Sequence, residues 1–391
     1  MIWTEEQARQ RIGALPQGVE PRIKWAGFDL PGEVAAGNLL VAGAIGSGKT
    51  RIQRQLLQSF LKQFRPGSGR KVLIFDTKGD LSEEIARMSP SSPPLVFSGS
   101  DNLSSAWDLA ADIMSGAEAR HFAEALIEST PDNATPFFTD AAREVLAKLV
   151  LALNRQQPGN FNLGTIIRIT SSPEDLKRAL SGGSAEQYLL SSPTSENVQS
   201  TLLSFLIPLQ ATANLWERAG RKVSLKQWVS NGESPLILAG DARFYERVAA
   251  INRILLNQIT SFILAEPESA TSSRFWFFFD DLNSVGRLDS LPSLLNARAK
   301  GVRCALSFTD LDGLSRIYGG QTAVDVIFDR CSTVAFLRLA SSSTASWASQ
   351  RTGNDFQPDD FIALPQCGVE NITAIHMIKG LRGNFKATTK L

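Results

Sequence analysis

Cysteine and histidine are nearly missing from this chain of 391 residues, which has three of the first and two of the second. Cys304, Cys331 and Cys367 share no CxxC or metal-type spacing, so a disulfide scaffold is excluded and free thiols in a reducing cytoplasm are expected. His121 and His376 alone offer too little for a histidine-rich metal centre, and little for a histidine-based triad. An excess of charge is lacking too. Forty basic residues stand against thirty-nine acidic ones, a net charge of +1, so no bulk attraction to nucleic acid or to an anionic membrane follows. Any nucleic-acid contact must be a local basic surface or the lining of an assembly. No apolar stretch approaches the roughly 20 residues that span a bilayer. The opening "MIWTEEQARQR" carries two glutamates and no apolar core, unlike a secretory signal. The expectation is a soluble, cytoplasmic form.

What is present is ordinary in amount and informative in pattern. At 43% hydrophobic and 20% charged residues, the composition is that of a globular protein with a sizeable core and two or three domains. Short apolar runs recur as "NLLVAG" (38–43), "KVLIFD" (71–76), "PLVFSG" (94–99), "PLILAGD" (235–241), "FWFFFDD" (275–281), "VRCALSF" (302–308), "TVAFLRL" (333–339) and "NITAIHMI" (371–378). Helical patterns separate most of them. In "RVAAINRILLNQITSFIL" (247–264), Val248, Ile251, Leu255, Ile259 and Phe262 share one face. This alternation predicts an α/β fold with a mostly parallel central sheet covered on both sides.

Residues 108–215 break the rhythm and read as helical throughout. Ala141, Val145, Leu149 and Leu153 repeat at i+4, Thr139 or Asp140 can cap their helix, and Pro208 should kink or end its own. The expected organisation is a nucleotide-binding domain at 1–107 and 216–391, interrupted by an all-α domain at 108–215. The last 13 residues hold Lys379, Arg382, Lys386 and Lys390 without an acid. They read as a frayed basic tail first and as a DNA-facing arm second.

The chemistry is concentrated in two places. "VAGAIGSGKT" joins an apolar strand to an amphipathic helix, and Gly43, Gly48, Lys49 and Thr50 match the phosphate-loop pattern G-x-x-x-x-G-K-[ST]. Glycines let successive backbone N–H groups turn inward around phosphate oxygens, and the helix that follows adds its dipole. Gly43, Ala44, Ile45, Gly46, Ser47, Gly48, Lys49, Thr50 and Arg51 thus form the candidate nucleotide-binding stretch. Lys49 would reach the β/γ-phosphates and Thr50 would ligate Mg²⁺. A chance match arises in about one chain per hundred of this length, and the strand–loop–helix setting lowers that further.

The second place is the end of "FWFFFDD". Such a site needs a second strand whose terminal Asp holds the Mg²⁺ shell, usually followed by an acid that orients the attacking water. Asp280 and Asp281 stand where those two belong, although a solvated strand exit would also end on acids. The "DTKGD" stretch (76–80) reads equally well as a strand-ending turn hinged at Gly79, and no chemistry is assigned to it.

Taken together, "VAGAIGSGKT", "IFDTKGDL" (74–81) and "FWFFFDDLNSVGRLDSLPSLLNARAKGVRCALSFTDLDGLSRIYG" (275–319) resemble the type IV secretion coupling proteins. These are the TraD/TrwB-like conjugative DNA pumps of the HerA–FtsK superfamily. The likeness runs from about residue 25 to 380, and "TPFFTDAAREVL" resembles the first helix of the family's all-α domain. It implies a RecA-like P-loop NTPase that binds ATP and Mg²⁺ and assembles as a hexameric ring. Such a ring would bind DNA without strong sequence preference and hand a relaxase–DNA substrate to the secretion channel, with the membrane reached through partners. It implies Thr50 and Asp280 on the metal, Asp281 in the place of the catalytic acid, and Arg298 as a finger toward a neighbouring subunit's γ-phosphate. A solvated helix charge is the other reading of Arg298. The family's Glu is here Asp281, its sensor Gln is here Thr309, and its N-terminal transmembrane segments have no counterpart. An Asp is one methylene shorter, so hydrolysis is expected to be slow unless the backbone compensates. Two other readings remain: a nucleotide-binding scaffold with weak hydrolysis, and a HerA- or FtsK-like DNA pump outside secretion.

Overall fold

Aromatic and β-branched residues on both faces explain why the apolar runs become central strands, since only burial on both sides satisfies such segments. In a computed structural model of the chain each expected run holds a strand. The structure describes residues 1–390 apart from 19, 63, 65–66, 78, 80, 89–92, 99–103, 128–135, 190–191, 241–244 and 270–273. Lys78 and Asp80 of the "DTKGD" stretch lie outside the described residues.

The chain divides into two compact units, the first made of 1–94, 233–237 and 266–391, the second of 95–232 and 238–265. In the first unit eight strands are hydrogen-bonded in one sheet: β1 (Ile2–Trp3), β2 (Asn38–Ala42), β3 (Lys71–Asp76), β4 (Phe275–Phe279), β5 (Val302–Phe308), β6 (Cys331–Phe336), β7 (Asn371–Met377) and β8 (Asn384–Lys390). Their spatial order is β1-β8-β7-β6-β2-β5-β4-β3. The five strands β6, β2, β5, β4 and β3 are parallel, while β7 runs antiparallel to both β6 and β8. Every residue of β2, β3, β4 and β5 is buried.

Strand β8 corrects the expectation of a frayed basic tail. "NFKATTK" alternates strictly, with Phe385, Ala387 and Thr389 buried and the residues between them turned outward. Lys386 and Lys390 are simply the solvent side of a period-two pattern. Phe385 stacks on His376 of β7 at 5.0 Å between centroids. Burial, and next the charge of Arg9, push the His376 imidazole down to about 3.

The second unit is mostly helical and wider than the expected 108–215, taking in the strand Leu95–Ser98 and the long helix Tyr245–Ala265. It also holds a short parallel pair, Ala106–Trp107 with Lys222–Val223. The helix Pro136–Gln156 buries Ala141, Val145, Leu149 and Leu153 as the spacing requires. It starts before Thr139, which is a buried residue of the helix itself and not its cap. The kink at Pro208 is realised as a 3₁₀ turn, Ile207–Leu209, between the helices Ser192–Leu206 and Gln210–Glu217. Against expectation, one window, Val248–Ala265, is long and apolar enough to cross a membrane by length and composition. Within this structure 67% of it is buried, as in a core helix.

Candidate functional site

The carboxyl end of β2 delivers the chain into the glycine-rich loop. The Gly43 N–H donates to Phe308 O at 3.1 Å and the Ala44 N–H to Arg338 O at 2.8 Å, which ties the loop to β5 and to the segment after β6. A side chain at Gly43 would bring its Cβ to 2.4 Å from Ser47 Oγ. Gly46 and Gly48 take left-handed φ angles of 76° and 107°, which glycine adopts without steric cost. Gly48 then starts the helix Lys49–Leu61, held on the sheet by buried Ile52, Leu56, Leu57 and Phe60.

The reactive groups converge at this junction. Lys49 is 8% exposed, and its ammonium donates to Gly43 O at 2.8 Å and Ala44 O at 3.2 Å. The Ser47 hydroxyl is buried with no hydrogen-bond partner. Thr50 donates its hydroxyl to Asp280 Oδ2 at 2.6 Å, joining the loop to the acid that ends β4. The other carboxylate oxygen, Asp280 Oδ1, accepts from Ser307 Oγ at 2.9 Å. Ser307 Oγ in turn accepts the backbone N–H of Asp281 at 2.8 Å.

Asp281 has the left-handed backbone of φ 67°, uncommon for a residue with a side chain and costing on the order of 1–3 kcal/mol. Each oxygen of its carboxylate accepts one hydroxyl. Thr309 Oγ1 donates to Oδ1 at 2.9 Å and Ser284 Oγ to Oδ2 at 2.8 Å. Asn283 ties the ends of β4 and β5 together, accepting from the Thr309 N–H at 2.7 Å and donating to Asp310 O at 3.0 Å. Asp76, at the end of β3, accepts the N–H groups of Gly79 and Leu81, and Gly79 has φ 73°. This is the hinge turn expected of that stretch.

Two sequence-derived candidates point elsewhere. The Arg51 guanidinium donates to Gly368 O and Val369 O, each at 2.5 Å, and to Cys367 Sγ at 3.3 Å. It therefore clamps a loop instead of facing the phosphates. Arg298 is exposed on the 3₁₀ turn Ala297–Lys300 that precedes β5. Five residues of β5, 302–306, lie between this turn and Ser307 beside Asp280, a rise of roughly 17–20 Å. Arg303, 1% exposed, donates to Arg298 O at 3.5 Å. Burial first, and the Arg298 charge second, hold it down to about 10.

Ser307, Ser284 and Asn283 are site residues that the sequence reading missed. One signal was available: Ser307 is a lone hydroxyl late in a strand that, Arg303 apart, is apolar, next to a strand ending in acids. The pairing that brings it to Asp280 is fixed only by the β4–β5 register, Phe279 opposite Leu306.

Comparison with known proteins gives this geometry its context. Residues 22–356 match the family model described as the type IV secretion-system coupling protein DNA-binding domain. The coupling protein TraD of Escherichia coli (strain K12) is 23% identical over 333 residues, covering 81% of this chain and 44% of TraD. The chain thus spans less than half the length of that curated relative. The plasmid coupling protein TrwB in complex with ADP and Mg²⁺ superposes with a TM-score of 0.79 at 17% identity, over 100% of this chain and 92% of that one. VirB4 of Thermoanaerobacter pseudethanolicus follows with a TM-score of 0.60 at 10% identity, over 96% and 97% of the two chains. The fold is that of a RecA-like P-loop NTPase, and the chain belongs to the family of type IV secretion-system coupling proteins, through its DNA-binding domain.

Proposed function

We propose that the chain is an ATP-dependent DNA translocase that couples a relaxase–DNA substrate to a type IV secretion machinery. The observation that carries the nucleotide part is the 2.6 Å hydrogen bond from Thr50 to Asp280, which sets a loop hydroxyl and a strand-end carboxylate side by side next to the buried Lys49. These residues fit a nucleoside triphosphate and Mg²⁺. Gly43 lets Ser47 and Leu337 close on the loop backbone where no side chain would fit, the buried Ser47 hydroxyl lacks a partner, and hard oxygen donors suit Mg²⁺. When bound, the metal would neutralise charge on the phosphates. Lys49 would pair with the β/γ-phosphates, Thr50 and Asp280 would hold the metal and its water shell, and Asp281 would orient the attacking water.

The family assignment supports DNA as partner, and the near-neutral charge of the chain favours a ring whose pore multiplies weak contacts. Because Arg298 sits about one strand length from its own chain's Asp280, it can serve as a finger only in a neighbouring copy's site. A homo-hexamer in the cytoplasm, at the membrane only through partners, accommodates this.

One observation favours a second reading. Both oxygens of Asp281 already accept hydroxyl hydrogen bonds, which suits a nucleotide-gated scaffold with weak hydrolysis. Steady-state ATPase measured with and without single- and double-stranded DNA, across protein concentration, separates the two. A motor shows turnover that rises with DNA and with concentration and vanishes in Lys49→Ala. A scaffold binds ATP, barely turns it over, and gains turnover in Asp281→Glu.

A further inference from the structure

One cavity of the first unit takes no part in the nucleotide site. It measures about 310 Å³ and lies among the helices Leu291–Asn296, Leu311–Tyr318 and Gln321–Asp329. Leu288, Leu295 and Ile327 give it an apolar wall, and the exposed Val326 and Arg330 also line it. Among the described residues no carboxylate pairs with the Arg330 guanidinium. Asn296, another lining residue, stands two positions before Arg298. Cavity and finger candidate therefore adjoin.

Beside the phosphate loop stands a segment of complementary character, residues 367–370. A Cβ at Gly48 would come within 2.9 Å of Cys367 Sγ, and Arg51 fastens the segment through the carbonyls of Gly368 and Val369. Val369 is left 90% exposed, and an aliphatic side chain so far into water gains from burial. Glu370, exposed, follows it directly and pairs with no cation among the described residues. An apolar tip next to an acid thus faces solvent in one place, and an apolar wall next to a cation lines a cavity in another. Within one chain the two do not meet, since a Val369 seated in the cavity would not be so exposed. A second copy supplies the missing partner. When Arg298 reaches a neighbour's phosphates, that neighbour's 367–370 segment comes to the adjoining cavity.

We propose that the 367–370 segment of one copy seats in this cavity of the next, with Val369 against Leu295 and Ile327 and Glu370 paired with Arg330. One contact then joins the copies and sets Arg298 at the neighbour's phosphates. The proposal rests on the reading of Arg298 as a finger between copies. The contact joins two different surfaces, so each copy offers one knob and one cavity. Sedimentation velocity of the whole chain with Mg-ADP, read beside ATP turnover across protein concentration, tests it. Val369→Asp damages the knob and Val326→Arg closes the cavity, both at exposed positions, and each is expected to weaken self-association at least about tenfold. Mixed in equal amounts, the two variants should form pairs again, because an intact knob meets an intact cavity. Glu370→Arg and Arg330→Glu combined in one chain should regain what either loses alone. Association unchanged in both single variants overturns the proposal, and so do variants that stay weakened when mixed or a charge exchange that regains nothing. A wild type that stays monomeric, with turnover per chain independent of concentration, overturns the finger reading and this contact with it. Association and Arg298-dependent turnover that both survive Val369→Asp leave the finger reading standing and sink the contact alone.

Discussion

The Thr309 hydroxyl donates to Asp281 Oδ1 at 2.9 Å, so the residue that ends the run after β5 grips the acid that follows β4. The effect of Thr309 on chemistry is therefore expected to pass through the orientation of Asp281. Thr309→Val keeps the volume and removes the donor. We expect ATP turnover to fall about tenfold, since displacement of a catalytic group by a fraction of an ångström already costs that much, with nucleotide affinity unchanged. Parallel measurements of kcat and of ADP binding check this; an unaltered kcat would show that Ser284 alone holds the carboxylate.

The Ser307 hydroxyl touches both acidic residues, donating to the Asp280 carboxylate and accepting the Asp281 N–H. Ser307→Ala leaves the Asp281 N–H and one Asp280 oxygen without their partner at a half-buried strand end. The expected loss is about 1–3 kcal/mol of stability, together with a weaker dependence of nucleotide affinity on Mg²⁺. Denaturant melts and Mg²⁺ titrations of ADP binding read the two effects separately.

In the second unit the buried Asp112 accepts from Trp107 Nε1 at 2.6 Å, from Ser224 Oγ at 2.5 Å, and from the N–H groups of Leu225 and Lys226. It satisfies the start of the helix Leu225–Asn231 from a distant part of the chain. Asp112→Ala strands these donors away from water and should destabilise the unit by about 3 kcal/mol. Hydrogen exchange should rise first at residues 107–112 and 224–231. Protection unchanged there would refute the assignment.

His376 makes stability depend on acid. Its folded value, about 3, lies below the ordinary 6.5, so between these limits the unfolded chain binds the extra proton. Stability is then complete above about pH 6.5 and falls as the pH drops toward 3, the unfolded fraction rising by up to about tenfold per pH unit. Among the described residues, Phe28 and Phe385 face the ring, and Arg9 is the charge that acts on it. His376→Phe preserves the aromatic packing and should flatten the dependence between pH 6.5 and 5. Calorimetric Tm values across that range decide it, and an equally steep fall in the variant would place the sensitivity elsewhere.

Strand β8 offers a test of the corrected tail. Phe385 is 0% exposed, and Phe385→Ala should cost about 3–5 kcal/mol, far more than any change in a frayed segment. A Tm within a degree of the wild type would return the segment to the status of a tail.

How much of this was written in local sequence depends on how local each feature is. The phosphate loop is contiguous, and its glycines, Lys49 and Thr50 are required by backbone geometry within ten residues, so it was legible in full. The buried strands were legible because five aromatic or aliphatic residues in a row have no stable alternative to burial on both faces. β8 escaped because its two lysines dominated the reading, although its alternation was there to be seen. The sequence by itself thus determined the fold class, the phosphate loop and the acid pair at the end of β4. Only the tertiary structure decided that Ser307 and Thr309 hold those acids, that Arg51 turns to the Cys367–Val369 loop, and that Arg298 lies a strand's length from its own site. Those relationships are set by which residues stand opposite one another across neighbouring strands, and a shift of one position would exchange every side chain for its neighbour on the other face.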